Sequence, residues 1–239
     1  MCSPYQPGDA PRTIRVAVDG PSASGKSTVS KRLAEQLDFI YVDSGSLYRA
    51  ITWTANENDI PPGDTAGVVS LLGGLVAEPY LTGRDLRFKV NAIDPGDALR
   101  SEAVVERVSD LAAIPEVRTF VVDRLRDAVR MGNLVMEGRD IGSVVFPDTL
   151  FKFYLDAEPD ERARRRFAEQ DSGSGGDKLA AVRDSLDRRD RKDTSRQTAP
   201  LQIPEGASII NTTSLSLDEV VALIEKSIRA ECPTLSQED

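Results

Sequence analysis

An α/β fold, with parallel strands at its centre and helices on both faces, is what the sequence predicts, on three observations. Short β-branched runs alternate with stretches of helical spacing along most of the chain, the pattern of strand–helix units whose strands are covered on both sides. A glycine-rich turn joins the first of these strands to the first of these helices. The 239 residues, 40% of them hydrophobic, suit one core with smaller subdomains attached.

Residues 1–12, with Pro4, Pro7 and Pro11, read as a disordered tail. Ile14 to Val18 is a strand that meets a turn at Asp19-Gly20. Val29, Leu33 and Leu37 share one face of a helix from about Lys26 to Leu37. A second strand covers Phe39 to Val42, and a helix from Ser46 to Asn56 stops at Asn58-Asp59-Ile60-Pro61-Pro62-Gly63. The stretch 64–112 is less regular: a short helix near 65–72, strand-like pieces around Leu86 to Val90, a turn at Asp94 to Asp97, and helix from about Leu99 to Ala112. It reads as an insertion carried on the core. Pro115 suits the first turn of a long helix running to Met131, ended by Gly132-Asn133. Leu134 to Met136 and Leu150 to Leu155 are the third and fourth core strands. An arginine-rich helix spans Glu158 to Gln170, and the Ser/Gly run at 172–176 reads as a flexible hinge or lid tip. Helix resumes to about Arg191, Ser208 to Ile210 is the fifth strand, and Leu217 to Ala230 is an amphipathic closing helix.

Composition removes whole classes of chemistry. There is no histidine, which excludes His-activated nucleophiles and His-ligated metals. The two cysteines, Cys2 and Cys232, form neither a disulfide framework nor a zinc spacing, and read as free thiols. The net charge of −9 is not the basic footprint of a nucleic-acid binder. A mean hydropathy of −0.31 and the lack of any long apolar run predict a soluble protein with no membrane span. The first dozen residues hold no apolar stretch of a secretory signal, so a cytoplasmic location is expected.

The glycine-rich turn, Gly20-Pro21-Ser22-Ala23-Ser24-Gly25-Lys26-Ser27, matches G-x-x-x-x-G-K-[ST] in the strand-to-helix context that a phosphate-binding P-loop needs. Glycines let the backbone close around an oxyanion, and consecutive N–H groups at a helix N-terminus face it. Lys26 would reach the β- and γ-phosphates of ATP, and the Ser27 hydroxyl would meet Mg2+. Three further clusters lie at strand ends or beside the hinge, where parallel sheets bind ligands. Asp43-Ser44-Gly45-Ser46-Leu47-Tyr48-Arg49 follows the second strand, though Asp-Ser before a helix is also an ordinary cap. Glu137-Gly138-Arg139-Asp140-Ile141-Gly142 follows the third, where an Arg-Asp pair also suits a surface turn. Arg162, Arg164, Arg165 and Arg166 precede the hinge, and Arg189 to Arg196 follow it. A charged helix face usually meets only water, but arginines on a closing lid would stabilise a transferring phosphoryl group. The fourth strand ends in Leu155-Asp156-Ala157, where Asp156 is a residual Walker-B-like residue or a helix cap.

Taken together, Asp19 to Thr28, Asp43 to Arg49, Glu137-Gly-Arg-Asp-Ile-Gly-Ser-Val-Val-Phe-Pro-Asp148, and Arg189 to Arg196 before Ala199-Pro200-Leu201 resemble the bacterial cytidylate kinase family. The likeness runs from Ile14 to about Arg229. It implies a P-loop kinase core with a five-stranded parallel sheet, one domain over 13–232, an enlarged monophosphate-binding insertion at about 64–112, a lid at about 162–196 and a tail at 233–239. It implies transfer of the ATP γ-phosphoryl group, with Mg2+, to CMP or dCMP. By position, Ser109, Arg118 and Asp140 would meet the cytosine edge with Ser44 nearby, and Arg189 and Asp193 the ribose. Arg49, Arg139 and Arg196 would hold the acceptor phosphate, with Ser22 beside it, while Arg165 and Arg166 would be the lid arginines on ATP. Many relatives carry Gly where this chain has Ser27, so Ser27 and Thr28 are both candidate magnesium ligands. A monomer is expected, because such a site needs no partner chain. Other small-molecule P-loop kinases, and a nucleotide-binding regulator without transfer activity, are the alternatives.

Overall fold

The computed structural model describes residues 13–169, 176–196, 198–232 and 235. The expected tails at 1–12 and 233–239, apart from Leu235, and the hinge tip at 172–175 lie outside them. In chain order the elements are β1 (Arg15–Asp19), α1 (Lys26–Leu37), β2 (Ile40–Asp43), α2 (Ser44–Glu57), α3 (Thr65–Gly73), β3 (Ala77–Thr82), β4 (Asp85–Val90), α4 (Glu102–Leu111), α5 (Pro115–Asp127), β5 (Leu134–Gly138), β6 (Phe151–Asp156), α6 (Pro159–Glu169), α7 (Gly176–Ser195), β7 (Ser208–Asn211) and α8 (Leu217–Glu231).

One sheet runs in the order β3-β4-β2-β5-β1-β6-β7. Its five central and distal strands, β2, β5, β1, β6 and β7, are the five expected from the sequence, and they pair in parallel. The sheet nevertheless has seven strands, not five. The two further strands come from the stretch read as an insertion carried on the core: the antiparallel hairpin β3–β4 joins the edge of β2 through Tyr41↔Asp85 and Val42↔Leu86. β4 alternates Leu86, Phe88 and Val90 inward. β3 escaped the sequence reading because only Ala77 of its six residues is buried, so it carries no apolar alternation.

The pleat sends side chains to two cores, one on each face. Val16, Val18, Tyr41, Val135, Phe153 and Leu155 pack under α1 and α8 with Val29, Leu33, Val220, Ile224 and Ile228. Ala17, Val42, Leu134 and Met136 pack on the other face with Leu47 and Ile51 of α2 and Val121 and Leu125 of α5. Cys232 is buried in the first of these cores.

Helix ends follow local chemistry. Ser216 and Glu219 form a reciprocal capping box on α8, and Asp64 caps α3 by accepting from the Gly67 N–H at 2.9 Å. Pro115 opens α5, but that helix ends at Asp127 and tightens into a 3-10 turn, Ala128–Met131, rather than running as one helix to Met131.

Candidate active site

The site is built where β1, β2 and β5 release the chain at their carboxyl ends. At the end of β1, Gly20 has φ 150, and a Cβ there would stand 2.1 Å from the carbonyl oxygen of Leu155. Only glycine lets the turn pass that close to β6. The loop then passes through positive φ at Ala23 and at Gly25, which caps α1. Behind it, Lys26 is 5% exposed, and its Nζ donates to the carbonyl of Pro21 at 2.5 Å and to Ser24 Oγ at 3.4 Å. Burial, and next the neighbouring Arg139 guanidinium, pull the Lys26 ammonium down to about 7. A buried cation crowded by another cation marks a place short of negative charge, which a polyphosphate supplies.

A cavity of about 760 Å3 opens over the loop. Ser22, Ala23, Gly25, Lys26, Ser27 and Thr28 line its floor. Asp43, Ser44 and Arg49 line one wall, Ser109 and Arg118 another, Arg139 and Asp140 a third, and Arg166, Arg189, Asp193 and Arg196 the roof side. Of the residues assigned to the site from the resemblance and the P-loop motif, Gly20, Pro21, Ser24 and Arg165 are not on the lining, nor are Arg162 and Arg164 of the arginine-rich helix. The first three form the loop behind it. Arg165 donates from Nη1 to Thr212 Oγ1 at 3.0 Å and from Nη2 to the Thr212 carbonyl at 2.7 Å, at the loop's edge beside Gly25. A second cleft, of about 940 Å3, adjoins between α1 and β4 and shares Ser27, Thr28, Asp43, Arg49 and Arg100 with the first.

The walls around the P-loop carry a set of paired charges. Arg118 on α5 and Asp140 after β5 form a buried ion pair, and Arg118 Nη1 also donates to the carbonyl of Ala112 at 3.2 Å. The Tyr48 ring lies 5.6 Å from the Arg118 guanidinium. Arg139 donates from Nε to Asp193 at 3.1 Å and from Nη2 to Ser22 Oγ at 2.9 Å. Arg196 donates from Nε to the Asp193 carbonyl at 3.2 Å, and Arg49 donates to Asp43 at 2.5 Å. Ser44 Oγ turns back onto the strand, donating to the Glu137 carbonyl at 2.7 Å. These pairs leave donors over. Among the described residues, buried Nε atoms of Arg49, Arg118 and Arg189 and Nη2 of Arg196 have no partner. Burial, then Arg139, lowers Arg189 to about 10, and burial also lowers Arg196. Four arginines with orphaned donors around one cavity are an anion-binding arrangement.

Several buried groups were given no role by the sequence. Asp19 accepts from the Ile141 and Gly142 N–H groups at 2.8 and 2.7 Å, tying β1 to the loop that carries Asp140. Burial pushes Asp19 up to about 6, although those two N–H bonds oppose the shift. Glu137 ends β5, the strand beside β1, and is 5% exposed. The Tyr41 hydroxyl donates to its carboxylate at 2.7 Å, and the Ser27 hydroxyl lies near it. Burial, then the Asp43 carboxylate, holds Glu137 above the usual carboxylate range. Asp156, by contrast, folds back on the N–H of Ala157 at 2.9 Å. Both Asp19 and Glu137 were visible as acidic residues closing apolar strands. What was missing was the strand order that sets β1 beside β5.

Ser27 beside Glu137, with Asp43 on the same wall, offers the hard oxygen donors that suit Mg2+. Among the described residues no three acidic or thiol groups cluster as a closed metal cage, so an ion here would complete its shell with phosphate and water.

The model of the cytidylate kinase family matches residues 16–230. A cytidylate kinase of Caldanaerobacter subterraneus subsp. tengcongensis is 40% identical over 217 residues, covering 91% of this chain and 95% of that protein. One of Geobacillus kaustophilus is 42% identical over 213 residues, covering 89% and 95%. A crystal structure of an uncharacterized protein from Eubacterium ventriosum superposes with a TM-score of 0.50 at 13% identity, covering 92% of this chain and 99% of that one, a likeness of fold alone. With a family match that spans most of the chain and full-length relatives near 40% identity, the chain belongs to the cytidylate kinase family.

Proposed function

We propose that this enzyme transfers the γ-phosphoryl group of ATP to CMP or dCMP, releasing ADP and the nucleoside diphosphate. The observation that carries the reading is one cavity holding both a P-loop and, across from it, the buried Arg118–Asp140 pair among arginines with unused donors. Cytosine presents an N4 amine beside the N3 and O2 acceptors. Asp140 accepts from that amine, and Arg118 and Ser109 donate to the acceptors. Uracil would turn an oxygen toward Asp140, and a mismatch in a buried polar site discriminates strongly.

An acceptor phosphate carries its own nucleophilic oxygen, so the protein needs no strong base. Its work is to align that oxygen with the γ-phosphorus and to hold the spreading charge. The P-loop from Gly20 to Thr28 seats the donor, with Lys26 on the β- and γ-phosphates. Arg49, Arg139 and Arg196 hold the acceptor phosphate, and Asp43 keeps Arg49 in place. Arg189 and Asp193 take the ribose. Arg165 and Arg166 meet the donor phosphates as the lid, residues 162–196, closes over the insertion at 64–112 and excludes water. Ser27, with Thr28 as the second hydroxyl, would hold Mg2+, which would supply charge that neutralises the transferring phosphates. The reading includes a monomer, since every proposed group comes from one chain, and a cytoplasmic role in pyrimidine nucleotide metabolism. Among the described residues no helix is long and apolar enough to cross a membrane.

Coupled ADP release with Mg-ATP and each of CMP, dCMP, UMP, GMP, AMP and dTMP tests the proposal. Turnover with CMP and dCMP alone is expected. Turnover with another acceptor would keep the kinase and overturn the roles of Ser109, Arg118 and Asp140. ATP binding without turnover on any acceptor would overturn the transfer reading.

A further inference from the structure

Ser22 is the residue at which the P-loop meets the rest of the site. It is 6% exposed. Its N–H donates to Asp190 Oδ1 at 3.0 Å, and its carbonyl accepts from Arg162 Nη1 at 3.1 Å. Arg162 on α6 and Asp190 on α7 are themselves an ion pair, 9% and 15% exposed at the side chain. The hydroxyl of the same Ser22 is held by Arg139. One loop residue is therefore gripped from two helices and from the turn after β5.

Neither Arg162 nor Asp190 lines the cavity among the described residues, so direct contact with a nucleotide does not account for them. Nor does stability: a buried ion pair contributes little net stability against an apolar replacement, and its attested use is to fix one geometry. What this pair fixes is the P-loop backbone relative to α7. On α7, Asp190 is flanked by Arg189, and Asp193 lies one turn further on.

We infer that Asp190 and Arg162 are positioning residues that tie the P-loop to α6 and α7, so that filling the loop with the donor nucleotide orders the face of α7 that takes the acceptor. The inference rests on the proposed function for the identity of the two ligands. Because coupling between two sites is reciprocal, the acceptor tightens the donor by the same factor.

Hydrogen exchange with ADP alone tests the tie. In the wild type, ADP slows exchange in peptides over 20–28 and also over 184–196. In Asp190→Ala the first protection remains and the second is lost. Asp190→Asn keeps an oxygen for the Ser22 N–H and recovers at least about half of it, which guards against a merely misfolded alanine variant. Calorimetry of CMP with and without ADP gives a ratio of affinities of about 5 or more in the wild type, the low end for allosteric coupling, and near 1 in Asp190→Ala. Undiminished ADP-dependent protection of α7 in the alanine variant would overturn the inference, as would its absence in the wild type. A purely structural role would raise exchange in α7 without ligand and leave the ADP-dependent difference intact, which also counts against the tie. The exchange measurement needs no acceptor, so failure of CMP to bind would strike the acceptor reading and leave the tie standing.

Discussion

The two halves of the cavity are built on opposite plans. The half proposed to take the donor is local: residues 20 to 28 are contiguous, and Lys26 is held by the carbonyl of Pro21 in its own loop. The half proposed to take the acceptor is assembled from afar: Arg49 comes from α2, Ser109 from α4, Arg118 from α5, Arg139 and Asp140 from the turn after β5, and Arg189 and Asp193 from α7. The first half rests on the backbone geometry of its own loop and is tied to the second at Ser22, whereas the second is held by charge pairs between separate elements. Damage to the donor half should therefore remove chemistry and spare the fold, whereas damage to the acceptor half should touch both.

The sharpest break in that contrast is Lys26→Ala. Loss of the buried cation proposed to meet the transferring phosphate should lower kcat/KM at least about 10³-fold, roughly 4 kcal/mol of transition-state stabilisation. The melting temperature should not fall, because the removed ammonium is already disfavoured by burial. Steady-state kinetics beside a thermal melt reads both. Near-normal turnover would sink the P-loop role of Lys26.

Asp140→Ala attacks the other half. It should raise the KM for CMP about 10²-fold and that for ATP by less than about 3-fold, a loss near 3 kcal/mol for the acceptor alone. Arg118, 3% exposed, would also be left as a buried charge without its carboxylate, so stability should fall by about 3–5 kcal/mol. Equal losses for both substrates would make Asp140 a structural residue only.

Asp19 sits on the seam, and its effect depends on pH. Its carboxyl keeps a proton up to about 6 in the folded chain and only to about 3.8 in the unfolded one. Between those values the folded state holds more protons, so unfolding free energy should decline as pH rises from about 4 to about 6, by on the order of 3 kcal/mol from this group. Urea unfolding of wild type and Asp19→Asn at pH 4, 5 and 6 isolates its share. Glu137, also raised by burial, adds a slope of the same sign in both proteins. Identical slopes in the two would show that Asp19 does not titrate in this window.

The same division explains what could be read from the chain. The P-loop was legible because its geometry is written in consecutive residues, Gly20, Gly25 and Lys26 among them. The residues proposed for the acceptor were legible only as motif blocks, since no spacing rule says that Arg118 and Asp140 will meet. Pairing of β1 with β5 beneath α5 brings them together. The grip of Asp190 and Arg162 on Ser22 was not legible at all: side-chain bonds to a backbone N–H and carbonyl leave no pattern in sequence. β3 was lost for a related reason, because an edge strand that buries only Ala77 needs no apolar alternation.

The smallest effect sharpens the comparison within a single helix. Lys192 and Asp193 are neighbours on α7 and both face a carboxylate or a cation from another element. Lys192 pairs with Asp110 of α4 at 2.7 Å, but the two side chains are 55% and 63% exposed. An exposed pair of this kind contributes about 0–1 kcal/mol, because solvent screens it and both side chains lose freedom. Lys192→Ala should shift the melting temperature by less than about 3 °C and leave the KM for CMP within about 2-fold. Asp193 is 5% exposed and receives Arg139, so Asp193→Ala should raise that KM at least about 10-fold. If Lys192→Ala weakened CMP as much as Asp193→Ala, the Lys192–Asp110 contact would be a working link between α4 and α7. Burial would then no longer separate the charges that build the acceptor half from those that only decorate its rim.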